Sequence, residues 1–275
     1  MNFFKKIIDF LRDTLSPDSE KFIRLSWDAH RDNFGDILNP IIAEAFSSKP
    51  IKRVSSGKPG RIDHFFAIGS ILQKCTRYTT VWGTGFISEN VKCKQAPKKI
   101  YAVRGPLTKA RLLAQGIECP EVYGDPALLL PKIYNPELYD KKFKLGIIPH
   151  YKDSSGCWLN KIKTQHPEIK IINVQNKNPL EVVDEIIACE KIISSSLHGI
   201  IVADAYEIPS IWIKLSDKVV GDGFKFRDYF ASVGRKDTSP LNITENTTID
   251  MILQSFYSYR IEIDLEKLIQ NCPFH

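Results

Sequence analysis

The chain reads as an α/β protein made of two Rossmann-like open parallel-sheet domains facing a cleft. Three observations predict this. Short β-branched and aromatic runs alternate with helical patterns, which is the rhythm of βαβ units around a parallel sheet. The strand candidates end in turns that contain Gly, Ser, Asp or Asn. A segment with three prolines, 123–139, divides the alternation into two sets. The expected domains are therefore 1–130 and 131–275, with a C-terminal helix free to pack back on the first.

Taken in order, strands are predicted at 21–27, 51–54, 64–68, 79–82 and 99–103 in the first half. Three of their ends open helices. Asn33-Phe34-Gly35-Asp36 precedes a helix at 37–46, Gly69-Ser70 precedes one at 71–74, and Arg104-Gly105-Pro106 precedes one at 107–115. Pro106 suits a first helical position, where its missing N–H costs nothing, and Gly116 closes that helix. The segment 123–139 reads as the inter-domain linker. Beyond it the pattern gives strands at 144–148, 170–174, 191–194 and 210–215. Helices are expected around 158–164, 179–189 and 197–206, then at 224–233, 248–259 and 265–269.

Composition sets the class. At 275 residues, 43% hydrophobic and 25% charged, the chain is a globular protein able to bury a core in each half. Six scattered cysteines, with no CxxC pair and no histidine at ligand spacing, point to free thiols and away from a metal site. No apolar run approaches the roughly 18 residues of a membrane span. No signal peptide is visible, because charges interrupt the opening segment. A formal charge of +6 favours anionic partners, but basic residues are not gathered with aromatics, so nucleic acid is not expected. Phe3, Phe4, Ile7, Ile8, Leu11 and Leu15 fall at helical spacing. Residues 1–15 are thus an amphipathic helix that either docks on the protein's own core or makes a peripheral contact with an anionic membrane.

The candidate site residues lie at strand ends, where open α/β sheets bind ligands. Asn33, Gly35 and Asp36 form a tight turn whose following helix N–H groups can meet a phosphate or carboxylate, or simply cap that helix. Gly83, in Val81-Trp82-Gly83-Thr84-Gly85-Phe86, lets a loop run close to a ligand or to the other domain; a lone GxG is weak evidence for a dinucleotide. Arg104 can hold a carboxylate or phosphate in a bidentate contact, or pair with an acid such as Asp125. Ser194-Ser195-Ser196-Leu197-His198-Gly199 places hydroxyls and an imidazole where a strand becomes a helix. His198 can give or take a proton near neutral pH. Arg227 or Lys225, after Gly221-Asp222-Gly223, could swing over an anionic donor.

In order, the motifs NFGD, GS, VWGTGF, VRGP, YGDPALLLP, SSSLHGIIVADAYEIPSIW and KFRDYF resemble those of the polysaccharide pyruvyl transferase family, nearest its exopolysaccharide ketolase branch. The resemblance runs from Trp27 to Val233. It implies a GT-B-like two-domain fold and transfer of pyruvate from phosphoenolpyruvate to sugar hydroxyls, with no metal or other cofactor. It further implies a saccharide acceptor, free or lipid-linked, and a cytoplasmic location, with peripheral contact at the inner face of the membrane as an option for residues 1–15. His198 matches the family's catalytic histidine, Arg104 is the second catalytic candidate, and Asn33, Gly35, Asp36, Gly83, Ser195, Ser196, Gly199 and Arg227 would face the donor. Many members carry arginine two positions before the histidine. Here that position is Ser196, and Arg227 is the expected replacement. Two other readings stay open: a GT-B-like glycosyltransferase using a nucleotide sugar, and a non-catalytic module of polysaccharide assembly.

Overall fold

A computed structural model describes residues 21–28, 33–56, 61–136 and 141–274. The amphipathic pattern of residues 1–15 lies outside the described residues. Two five-stranded sheets, every pairing parallel, form the frame.

The first sheet contains β1 (Ile23–Trp27), β2 (Ile51–Ser55), β3 (His64–Phe66), β4 (Thr79–Trp82) and β5 (Lys99–Ala102), in the order β2-β1-β3-β4-β5. Between β1 and β2 runs α1 (Phe34–Ala45). Phe34, Leu38 and Ile42 recur every four residues along α1 and are all wholly buried. Each such side chain contributes roughly 1.5–3 kcal/mol. Buried Asn39 locks α1 to the sheet: its Nδ2 donates to Ile68 O at 3.2 Å, and Ile68 N donates to its Oδ1 at 3.0 Å. After β5 comes α2 (Pro106–Leu113), opened by Pro106 as the spacing predicts.

The segment read as a linker is more ordered than its three prolines suggest. Residues Pro126–Leu129 form a 3₁₀ turn that runs into α3 (Leu130–Ile133), and Ala127 to Leu130 are buried. Proline at the first turn of a helix is tolerated, and an apolar run of this kind is more stable inside than in solvent. The final residues of the predicted segment, 137–139, lie outside the described residues.

The second sheet contains β6 (Gly146–Ile148), β7 (Lys170–Ile171), β8 (Ile192–Ser194), β9 (Ser210–Lys214) and β10 (Leu241–Asn242), in the order β10-β9-β8-β6-β7. Its helices are α4 (Cys157–Gln165), α5 (Pro179–Ile187), α6 (Leu197–Ala205), α7 (Phe224–Ser232), α8 (Ile249–Gln254) and α9 (Leu265–Gln270). β6 and β8 are buried along their whole length, as parallel strands covered on both faces must be.

The two units share a core. Phe34 and Leu38 of α1, Val182 and Ile186 of α5, and Ile200 and Ile201 of α6 belong to one apolar cluster. The C-terminus returns to the first sheet: Trp82 Nε1 donates to Leu268 O at 3.0 Å, and Phe274 meets Trp82 edge-on with ring centroids 5.3 Å apart. Among the described residues no helix is long and apolar enough to cross a membrane.

Candidate active site

Each sheet reverses its strand order once, and ligands in open parallel sheets bind where that happens. In the first sheet β1 has β2 on one side and β3 on the other. In the second, β6 lies between β7 and β8. The residues just beyond these strands meet in one crevice of about 210 Å³. Asp28 follows β1, Ser70 lies beyond β3, His150 follows β6 and Ser196 follows β8; all four line it.

The N-terminus of α1 is the hinge pin of the arrangement. Phe34 N donates to Val174 O of the second unit at 2.8 Å. Gly35 then lies directly under the His198 imidazole, and a Cβ there would sit 1.8 Å from Nδ1. Only glycine permits that approach. Asn33 Nδ2 donates to Asp36 Oδ2 at 2.7 Å, and both line the crevice. Burial raises the Asp36 carboxyl above its ordinary pKa, while the Asn33 hydrogen bond and the nearby His198 ring pull it back.

His198 comes from the first turn of α6 and is only 8% exposed. Its Nε2 faces Asp125 Oδ2 at 3.5 Å, and neither atom has a hydrogen-bond partner. Asp125 is wholly buried, with Oδ1 held by Ala127 N at 3.0 Å. A carboxylate only accepts, so a proton on Nε2 is what would complete this contact, with Nδ1 on the Gly35 side of the ring. An unsatisfied buried pair of this kind costs free energy until a charge on the ring engages the carboxylate.

Two lysines, Lys74 and Lys225, line the same crevice. Lys225 leaves the first turn of α7 and is half-buried. Burial, then the nearby Arg104 guanidinium, pushes its ammonium down to about 8, with Asp36 acting the other way. Ser196 is the N-cap of α6, and its side chain makes no capping bond. Among the described residues no group of three or more His, Cys, Asp or Glu side chains is placed to hold a metal ion.

Of the candidates named from sequence, the crevice brings together Asn33, Asp36, Ser196 and His198, with Gly35 as the floor under the imidazole. The others stand elsewhere. Arg104 is wholly buried and does not reach open space: Nε donates to Asp228 Oδ2 at 3.0 Å, Nη1 to Ser70 Oγ at 2.8 Å and Nη2 to Phe86 O at 2.7 Å. A dry guanidinium requires such compensation, and Asp228 supplies what an incoming carboxylate was expected to. Arg227 lies in a neighbouring cavity with Nη1 donating to Asp222 O at 2.9 Å, so the cation that α7 lends to the crevice is Lys225. Gly83 faces Pro126, whose Cδ lies 2.2 Å from where a Cβ would be. Gly199 faces Ser194 Oγ in the same way at 2.4 Å. Both glycines serve packing. Ser195 Oγ donates to Asp153 Oδ2 and accepts from His150 N, each at 2.8 Å, which leaves it beside the crevice rather than in it.

Sequence reasoning had no part for Asp125 beside the histidine, nor for His150. The sequence offered Asp125 only as a partner for Arg104; the fold instead sets it just past an isolated bridge between Val103 and Tyr123.

Compared with known proteins, the sequence matches the profile of the family described as polysaccharide pyruvyl transferase over residues 6–217. That span takes in Gly35, Asp125 and His198 and stops before Lys225. The chain is 30% identical over 205 residues to an uncharacterized protein of Acanthamoeba polyphaga mimivirus, covering 74% of this chain and 71% of that one. It is 27% identical over 221 residues to the succinoglycan biosynthesis protein ExoV of Rhizobium meliloti, covering 76% of this chain and 64% of that one. No solved structure matches it.

Proposed function

Because the chain belongs to the polysaccharide pyruvyl transferase family, we propose that it moves the enolpyruvyl group of phosphoenolpyruvate onto a sugar of a surface polysaccharide or its lipid-linked precursor, forming a pyruvate ketal. The observation that supports this most is the crevice at the two switch points, where an imidazole backed by a buried carboxylate stands among lysines.

The chemistry assigns each group a task. A proton passes from His198 Nδ1 to the methylene carbon of the enol phosphate, turning it into a methyl group and leaving positive character on the neighbouring carbon. A sugar hydroxyl attacks that carbon and returns a proton to His198 Nδ1. Phosphate departs with the electrons of its carbon–oxygen bond, and a second hydroxyl of the same sugar closes the ring, its proton passing to the released phosphate. Asp125 keeps the imidazole oriented and stabilises its protonated form. Lys225 and Lys74 hold the donor's carboxylate and phosphate, offsetting the charge that grows on the leaving group. Lys225 thereby supplies the cation that Ser196 does not. Arg104 is a positioning residue, steadying Ser70 at the crevice wall. A lipid-borne acceptor, met at the cytoplasmic face of a membrane, would suit the amphipathic pattern of residues 1–15.

The test is mass spectrometry of saccharide acceptors incubated with the protein and phosphoenolpyruvate. The expected product gains one pyruvyl ketal for each phosphate released. If nucleotide sugars and not phosphoenolpyruvate support modification, the glycosyltransferase reading replaces this one.

A further inference from the structure

A second cavity, of about 570 Å³, opens at the end of β9 and shares a wall with the crevice. Residues one or two positions apart in the chain line its two sides. Ser195 lines the second cavity and Ser196 the crevice; Arg227 lines the former and Lys225 the latter. At the far side of the wall, Gly221 presses on the first unit, where a Cβ would stand 2.0 Å from Ile87 O, and Ile87 lines the crevice.

The loop that makes this wall turns through the left-handed region, at the expense of one non-glycine residue. Gly221, Asp222 and Gly223 are three successive left-handed residues, with φ of 103°, 47° and 75°. Asp222 has no glycine's freedom there, and strain of this type persists where the surroundings impose it, commonly beside ligand sites. Its carbonyl accepts from Arg227 Nη1 at 2.9 Å, which aims that guanidinium along the cavity rim.

The lining has the wrong charge for a second anion. Asp153, Asp217 and Asp222 stand against Lys214 and Arg227, three carboxylates to two cations, and Lys214 is already paired with Asp217 at 2.5 Å. Asp153 is 4% exposed and accepts from both Ser195 and Ser216. Around these stand further hydroxyl and amide groups and the Trp212 indole, stacked on Phe226 with centroids 4.5 Å apart. Convergent donors and acceptors around an aromatic edge match a pyranose, whose rings pair apolar C–H faces with a rim of hydroxyls. The volume falls within the roughly 300–1,000 Å³ of small-ligand sites, whereas the crevice suits a three-carbon donor.

We propose that this second cavity is the saccharide subsite, a neutral polyol pocket that delivers a sugar hydroxyl over the shared wall to the donor. The inference rests on the pyruvyl-transfer reading, which supplies the sugar. Ser239 lines the cavity, is exposed and touches nothing assigned to the chemistry, so Ser239→Trp fills the pocket from its rim. The probes are the methyl glycosides of glucose, galactose and mannose at millimolar concentration, read by saturation-transfer NMR on the whole chain. Phosphoenolpyruvate is read separately by its shift of the melting temperature. The unsubstituted protein is expected to bind at least one glycoside, and Ser239→Trp to weaken that binding at least tenfold while keeping the phosphoenolpyruvate shift. Absence of any glycoside binding to the unsubstituted protein, or glycoside binding within twofold in Ser239→Trp, overturns the subsite. A missing phosphoenolpyruvate shift with glycoside binding intact and sensitive to Ser239→Trp upholds the subsite and counts against the donor alone.

Discussion

Helix α6 carries a buried ionisable side chain near each end, and their surroundings treat them in opposite ways. At the C-terminal end, Asp204 is saturated. Arg235 Nη1 donates to both its oxygens at 2.8 and 3.0 Å, Ser210 and Tyr259 donate to Oδ1, and Tyr229 donates to Oδ2. At the N-terminal end, His198 Nε2 and Asp125 Oδ2 face each other at 3.5 Å without a completed bond. A fully satisfied buried network holds a structure in one state. An incomplete one keeps interaction energy in reserve for a charge that appears only during reaction. The contrast separates scaffold from site within a helix of nine residues.

Breaking the scaffold end should have the largest effect. Arg235→Ala leaves Asp204 buried without its cation, held by hydroxyls alone, and should lower stability by about 3–5 kcal/mol in urea unfolding. His198→Ala should change the same measurement by less than about 1 kcal/mol, since its bond to Asp125 is unformed. Equal losses at the two ends would erase the distinction.

The site end can be disturbed without removing the histidine. Gly35→Ala places a methyl group 1.8 Å from Nδ1 and must displace the ring. Turnover should fall on the order of 100-fold, since misplacing a reacting group by about 1 Å costs that much, while the phosphoenolpyruvate Kd changes little. Asp125→Asn preserves shape but removes the charge that orients the imidazole. A loss of roughly 10- to 100-fold in kcat is expected, as when other orienting partners of histidine are removed, with KM for the donor kept.

The smallest effect concerns pH. Lys225, held down to about 8 by burial and by Arg104, is charged below that value and neutral above it. Donor affinity should therefore be full near neutrality and fall by about tenfold between pH 7 and pH 9, following the charged fraction of the amine. In Lys225→Arg that step should vanish, because a guanidinium stays protonated. A step of the same size in Lys225→Arg would assign it to another group.

Much of the frame was legible in the sequence because parallel strands and their helices carry local signals. Thr79–Trp82 coincides with its predicted bounds, and most other elements differ from theirs by a few residues at the ends. β10, with two residues, was too short to leave a pattern. The prolines of 123–139 suggested an open linker; the burial of Leu128 to Leu130 depends on partners in both halves that no local window contains. For the site the same limit applies. His198 announced itself by ending a strand and opening a helix, and Gly35 by its turn. What Asp125 contributes to His198 spans 73 positions of separation, and exposure, which set Arg104 apart from Lys225, is a property of the folded whole.

The most direct measurement is release of phosphate from phosphoenolpyruvate in the presence of a saccharide acceptor, comparing the unsubstituted protein with His198→Ala and determining donor affinity for both. The variant should bind phosphoenolpyruvate within about threefold of normal while release falls by about 10²- to 10⁴-fold, the range of a lost acid–base group. Release at the normal rate, or donor binding lost in step with release, would contradict it.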